Sequence, residues 1–345
     1  MGPLVSILNK ELQPGDLVDG RYRIVRKLAD GGMGIVFLAE HMLIRRRVAI
    51  KLLHPELAPD RWMVRRFLNE AAAAGTLGHP HIVESTDMGF TREGVPYIVF
   101  AYLEGCLLSE EIRRLDRIPV RRAVVIARQI ASALEVAHAA QIAHLDVKSD
   151  NVFLTSRGTA LDHAMLIDFG ISRFMALDGE GTAPQGVLMG TPEYMAPEQA
   201  ITPDIADGRA DIYALGVLLY EMLTGRCPFE DDEPRRVLQR VIHDPPPQLD
   251  CDVPEMLQRM VFEGMLVKSR DHRLQSMADV IAILDAVLAT LCAGVPAALD
   301  SFDDPRAELA AMLGAPIWSV ESAFGDAASR LEALDSPRRT SELRS

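Results

Sequence analysis

Four short stretches carry side chains whose types and spacing suit chemistry on an anion. Lys51 ends the run "VAIK" at 48–51, after three apolar residues. In a half-buried strand, alternation puts Ala49 and Lys51 on one face. A lysine facing inward needs an anion, or its burial is costly. Glu70 is the matching oddity: it shares a helical face with Met63, Phe67 and Ala74, at spacings of four, three and four. An inward Lys and an inward Glu would satisfy each other, although Glu70 could equally pair with Arg66 on the surface. "HLDVKSDN" at 144–151 and "IDFG" at 167–170 place Asp146, Lys148, Asn151 and Asp168 in loops beside apolar strands. Carboxylates and an amide oxygen at loop ends suit a hard cation such as Mg²⁺, which prefers oxygen and shares its ligands with phosphates. Each loop alone also reads as a solvated turn.

The elements that must position these groups fall into two parts. Residues 21–53 are rich in strand formers (Tyr22, Ile24, Val36, Phe37, Val48, Ile50), punctuated by Gly31, Gly32 and Gly34. The flap "ADGGMGIV" at 29–36 lets backbone N–H groups approach a phosphate, because few Cβ atoms intervene. A helix is expected over 61–77 and a strand over 95–103. After "EGC" at 104–106 the pattern turns helical: 118–142, a span at 211–224 apolar nearly all round, then 234–243, 254–266 and 277–291. A sheet-rich piece followed by a helical one implies an α+β chain of two lobes with a cleft between them. Residues 291–345, with Pro at 296, 305, 316 and 337, read as a loosely attached tail: short helices, or partly disordered.

Composition sets the outer limits. The chain has 345 residues, 48% hydrophobic and 25% charged, which is globular rather than disordered. A net charge of −13 argues against a nucleic-acid partner reached by bulk electrostatics. The four cysteines lack metal-ligand spacing, which fits a reducing, cytoplasmic setting. No apolar run approaches the length of a membrane span. "MGPLVS" matches a myristoylation start only loosely, with Pro3 beside Gly2.

Taken in order, the Gly-rich flap, "VAIK", the helical Glu, "H-x-D-x-x-x-x-N", "DFG" and "GTPEYMAPE" at 190–198 form one series. With "RYRIVRKL" and "DIYALGVLLYEMLTGRCPF", they make the sequence resemble the bacterial eukaryotic-like (Hanks-type) Ser/Thr protein kinases over about residues 19–290. The resemblance implies a two-lobed kinase fold: an N-terminal extension at 1–18, a kinase domain at 19–290 (small lobe 19–103, large lobe 104–290) and the tail. It implies ATP with Mg²⁺, or Mn²⁺, as cofactors and protein Ser/Thr hydroxyls as acceptors. Lys51 would hold the α- and β-phosphates, oriented by Glu70, under the glycines Gly31 and Gly34. Asp168 and Asn151 would bind metal, and Asp146 would accept the hydroxyl proton. Lys148 would neutralise the transferring phosphate, with Thr191 hydrogen-bonded to it and to Asp146. Adenine would lie between Leu28, Val36 and Ala49 above and Phe153 below. Phe100 would close the back pocket, and Ala101 and Leu103 would offer hinge backbone groups. Glu198 with Arg273, and Asp211 with the loop backbone, would serve structure.

Three positions depart from that family's pattern. Ala29 stands for its first loop glycine, Ser149 for a proline, and Leu145 for an arginine that clamps a phosphate on the activation loop. Leu145 cannot make that clamp, so dependence on phosphorylation of Thr182 or Ser172 is expected to be lost or reduced. The competing reading is a pseudokinase, a scaffold with a dead cleft. It is opposed by the presence of Lys51, Glu70, Asp146, Asn151 and Asp168 together. Substrate and oligomeric surface are not legible. In the tail, Trp318, Phe324, Leu331 and Leu334 are candidate docking residues, and Thr340 and Ser341 beside Arg338 and Arg339 suggest autophosphorylation.

Overall fold

The computed structural model describes residues 12–157, 160–168, 173–174 and 190–293. A six-stranded antiparallel sheet comes first: β1 (Leu17–Val18), β2 (Tyr22–Asp30), β3 (Gly34–His41), β4 (Arg47–Leu53), β5 (Ser85–Phe90) and β6 (Pro96–Ala101), in the order β1-β2-β3-β4-β6-β5. Residues 12–18, expected within an extension, lie on this sheet: Gly15 N–H donates to Ile24 O, and Leu12 packs on its core. Between β4 and β5 runs α1 (Arg61–Thr76), started by Asp60, whose carboxylate accepts from the N–H groups of Trp62 and Met63.

The two faces of the sheet bury different sets. Val48, Ile50 and Leu52 of β4 pack with Tyr22, Ile24, Phe37 and Tyr97 on one side. Leu53 packs with Phe67, Ala71 and Ala74 of α1 on the other. This is the period-two alternation expected of "VAIK". Gly34 begins β3 where no side chain fits, since a Cβ there would lie 2.0 Å from Leu52 O.

The second lobe opens with β7 (Gly105–Leu107), α2 (Leu108–Leu115) and α3 (Val120–Ala139). The short α2 was not foreseen: eight residues make only about two turns, too short a window for a periodicity reading. Then follow β8 (Ile142–Ala143), β9 (Val152–Arg157), β10 (Ala160–Leu166) and β11 (Arg173–Phe174), with β10-β9-β7 forming a small sheet under the cleft. After these come α4 (Pro197–Ile201), α5 (Gly208–Thr224), α6 (Pro234–His243), α7 (Glu255–Arg259) and α8 (Met277–Ala293). The helix expected over 254–266 widens into a π-helical turn at Met260–Met265, where Leu266 N–H reaches back to Val261 O and Gly264 O accepts from Leu274 N–H.

The all-round apolar span is α5, the axis of the large core, with Ile212, Leu215, Val217, Leu218 and Leu219 fully buried. It stops at Gly225, φ +80°, where a Cβ would meet Asp116 O at 2.2 Å. Among the described residues no helix is long and apolar enough to cross a membrane.

Candidate functional site

Between the lobes lies a cavity of about 430 Å³. Leu28, Val36 and Ala49 form its roof, Phe153 and Ile167 its floor, and Phe100, Ala101 and Leu103 its edge, while Lys51, Glu70 and Asp168 close the back. Every apolar residue expected around a planar base therefore lines one space. Gly31 and Gly34 sit in the flap above it and do not line it. Cys106 and Glu110 also line the cavity and were missed. Glu110 belongs to the unforeseen α2, where it caps the N–H of Leu107 at 3.0 Å. Burial pushes the Cys106 thiol up to about 11, so it stays protonated.

Lys51 Nζ donates to both carboxylate oxygens of Glu70 at 2.8 Å and lies 3.1 Å from Asp168 Oδ1. Glu70 is 1% exposed, which excludes the surface pair with Arg66. The Arg66 guanidinium instead lies 4.8 Å from the centre of the Trp62 ring. Burial alone would lower the Lys51 pKa, but Asp168 and Glu70 outweigh it and hold the ammonium charged. Burial, with the charge of Asp168, pushes the Glu70 carboxyl upward against the pull of Lys51. Two carboxylates around one ammonium leave this corner with surplus negative charge.

The catalytic-loop candidates form a second cluster, tied to the first through Asn151, whose backbone O accepts from Ile167 N–H at 3.0 Å, one residue before Asp168. Asp146 Oδ2 accepts from Asn151 Nδ2 at 3.0 Å and lies 3.0 Å from Lys148 Nζ. Asp146 Oδ1 is buried and has no hydrogen-bond partner among the described residues. Lys148 Nζ also donates to Thr191 Oγ1 at 2.8 Å, as expected, whereas the expected bond from Thr191 to Asp146 is absent among the described residues. Asn151 uses its amide nitrogen on Asp146, including the backbone O at 2.8 Å, so its side-chain oxygen is the ligand atom it can offer.

Leu145 and Asp168 both adopt positive φ, 63° and 64°. For a branched residue such as Leu this is an uncommon, strained conformation. The surroundings over-determine it. Asp211 accepts the N–H groups of His144 and Leu145 at 2.9 and 2.7 Å, and Gln199 Nε2 donates to Leu145 O at 3.1 Å. The half-buried Leu145 side chain packs against the large core. Glu198 and Arg273 pair twice, at 2.7 and 2.9 Å. Phe169, Gly170, Ser172 and Thr182 lie outside the described residues.

Ser149 does more than fill the place of a proline. Its Oγ lies 3.0 Å from Glu221 Oε1 and 3.0 Å from Tyr194 Oη, and Tyr194 Oη donates to Glu221 Oε2 at 2.6 Å. The "HLDVKSDN" loop is thus tied to α5 and to the "GTPEY" segment. Burial pushes the Glu221 carboxyl from the usual 4.5 up to about 7, against the hydrogen bonds from Tyr194 and Ser149, with Asp150 and Glu230 adding to the rise. The folded protein therefore holds this proton more tightly than the unfolded chain does. The resulting stability is complete below about pH 4.5 and is lost as pH rises through about 7. In urea titrations at about pH 5 and about pH 8, Glu221→Gln is expected to show a smaller loss of stability with rising pH than the wild type. Parallel profiles would show that Glu221 does not titrate in this window.

The donor set can be tested for fit to Mg²⁺. Among the described residues, no group of three or more His, Cys, Asp or Glu side chains makes a self-contained metal site. Asp168 and the Asn151 oxygen supply only part of an octahedral shell. That suits a Mg²⁺ that takes its remaining ligands from phosphates and water, and the surplus negative charge around Lys51 points the same way.

Comparison with known proteins agrees with this geometry. The family profile described as the protein kinase domain matches residues 22–281. The chain is 38% identical over 278 residues to serine/threonine-protein kinase Pkn1 of Myxococcus xanthus, covering 78% of this chain and 38% of that protein. Against serine/threonine-protein kinase PknA of Mycobacterium tuberculosis the identity is 37% over 279 residues, covering 79% and 63%. Against serine/threonine-protein kinase pkn2 of Myxococcus xanthus it is 34% over 293 residues, covering 82% and 35%. The chain thus spans between about a third and under two thirds of the length of these relatives.

Proposed function

The chain belongs to the protein kinase family, and on that premise we propose that it transfers the γ-phosphoryl group of ATP to Ser or Thr hydroxyls of protein substrates. The observation that carries this reading is the orphan oxygen of Asp146. A buried carboxylate oxygen normally finds a donor. This one has no donor among the described residues, while Asn151 and Lys148 hold its twin, which leaves it as the oxygen that would take up a proton. Phosphoryl transfer asks mainly for positioning and charge neutralisation. Lys51, fixed by Glu70, would hold the α- and β-phosphates. Lys148 would offset charge on the transferring group, with Thr191 fixing its ammonium. Asp168 and Asn151 would hold Mg²⁺, or Mn²⁺, which when bound neutralises phosphate charge. The Lys148–Thr191 bond and the "GTPEYMAPE" segment favour a Ser/Thr protein acceptor, in keeping with the names of the relatives.

The test is label transfer from γ-labelled ATP with Mg²⁺ to a generic protein substrate, followed by phosphoamino-acid analysis. Label on Ser or Thr is expected. Tight Mg–ATP binding with no label on any acceptor would overturn the reading in favour of a pseudokinase scaffold.

The half-buried Leu145 side chain packs against the core and carries no charge, so it offers no phosphate clamp. Activity is therefore expected to be independent of phosphorylation at Thr182, a residue outside the described ones. Thr182→Ala should stay within about tenfold of wild type, and a larger loss, above ~1.4 kcal/mol in the barrier, would contradict this. Autophosphorylation at Thr340 or Ser341 is a further expectation of the same assay.

A further inference from the structure

His54, the residue after β4, has no part in the reading so far. Its Nε2 lies 2.7 Å from Gly31 O and 3.3 Å from Asp30 Oδ1, at the tip of the glycine-rich flap. A carbonyl oxygen only accepts, so Nε2 carries the proton in this contact. Asp30 is held from its other side by Lys27 Nζ at 2.7 Å. His54 N–H donates to Met33 O at 3.0 Å, so the ladder between flap and β4 runs one residue beyond the strand.

Alternation along β4 then fixes the face. Ala49 and Lys51 line the cavity, whereas Val48, Ile50 and Leu52 belong to the opposite cluster. His54 follows Leu52 by two and lies on the side away from the cavity. Its bond draws the Gly31 carbonyl to that side. In a trans peptide the C=O and the following N–H point in opposite directions. The N–H of Gly32 is therefore directed at the cleft.

Sterics do not impose this orientation. A Cβ on Gly32 would meet nothing within 4 Å, and one on Gly31 only Gly34 O at 3.7 Å. Two adjacent glycines have wide backbone freedom; the Gly31 N–H is tied to Gly34 O at 3.0 Å, and the His54 contact fixes the Gly31 carbonyl that this bond leaves free.

We propose that His54 is a positioning residue for the ATP triphosphate: through Gly31 O it presets the Gly31–Gly32 peptide so that the Gly32 N–H faces the phosphates. The proposal rests on the reading of the cleft as an ATP site. It is tested by calorimetry on the full chain with two probes, Mg–ATP and adenosine, which lacks phosphates. His54→Ala is expected to weaken Mg–ATP about five- to tenfold, the range of one hydrogen bond, with adenosine affinity unchanged. His54→Gln, whose amide N–H can replace Nε2, should restore Mg–ATP affinity. His54→Phe, which keeps a ring but no donor, should behave like His54→Ala and stands in for it if the alanine variant fails to fold. Unchanged Mg–ATP affinity in the donorless variants, or an equal loss for both probes, would overturn the proposal. A wild-type protein that binds neither probe would overturn the ATP-site reading instead.

Discussion

Asp146→Asn is expected to lower kcat by about a thousandfold, within the range for loss of a proton acceptor, while leaving Mg–ATP affinity near that of the wild type. The substitution keeps the shape of the side chain. Its carbonyl oxygen can still accept from Asn151 Nδ2 and Lys148, where Oδ2 does so now. The new amide nitrogen then occupies the place of Oδ1, the buried oxygen without a partner among the described residues. A donor stands where a proton has to be accepted. Asp146 does not line the cavity, so nucleotide binding should not report the change. Single-turnover label transfer measures the step, and calorimetry with Mg–ATP measures binding. Transfer within tenfold of wild type would remove Asp146 from the chemistry.

The second large effect is on stability. Arg273 is 3% exposed, pairs twice with Glu198, lies over the ring of Tyr213 and donates to Arg209 O. Arg273→Met should cost about 3–5 kcal/mol, because it leaves the Glu198 carboxylate buried beside no cation. Adding Glu198→Met should recover part of that loss, since removing both charges also removes the uncompensated one. Urea unfolding of the single and double variants gives the comparison. A single variant within about 1 kcal/mol of wild type would mean that water replaces the arginine.

How much of the site was legible follows from what each position has to do. Lys51, Glu70, Asp146, Asn151 and Asp168 are chemical groups at offsets set by single strands, turns and one helix. The structure gathers Lys51, Glu70 and Asp168 at the back of the cleft and joins Asp146 to Asn151, whose backbone O accepts from Ile167 N–H beside Asp168. Glu70 shows the limit of residue-level reading. Its helical face was clear, but the choice between Lys51 and Arg66 depended on where α1 sits against β4.

Other features had no sequence signal at all. Arg122 looks like a surface residue of an amphipathic helix, yet it is 2% exposed and bonded to Glu111 at 2.6 Å and to Asp162 at 2.8 Å. Ser149 meets Glu221 across 72 residues, and nothing in "KSDN" anticipates it. Leu145 was read as a lost phosphate clamp. Its left-handed backbone, imposed by Asp211 and Gln199, could not have been read from the letter Leu.

The two lobes, the candidate reacting groups and their order along the chain were legible in the sequence, because periodicity and short-range spacing are properties of neighbours along the chain. Tertiary structure alone decided which buried charges pair, how the catalytic loop is held, and that His54 reaches over the flap to Gly31. These depend on distances between segments far apart in sequence. Packing sets those distances, and burial decides which polar groups must find each other.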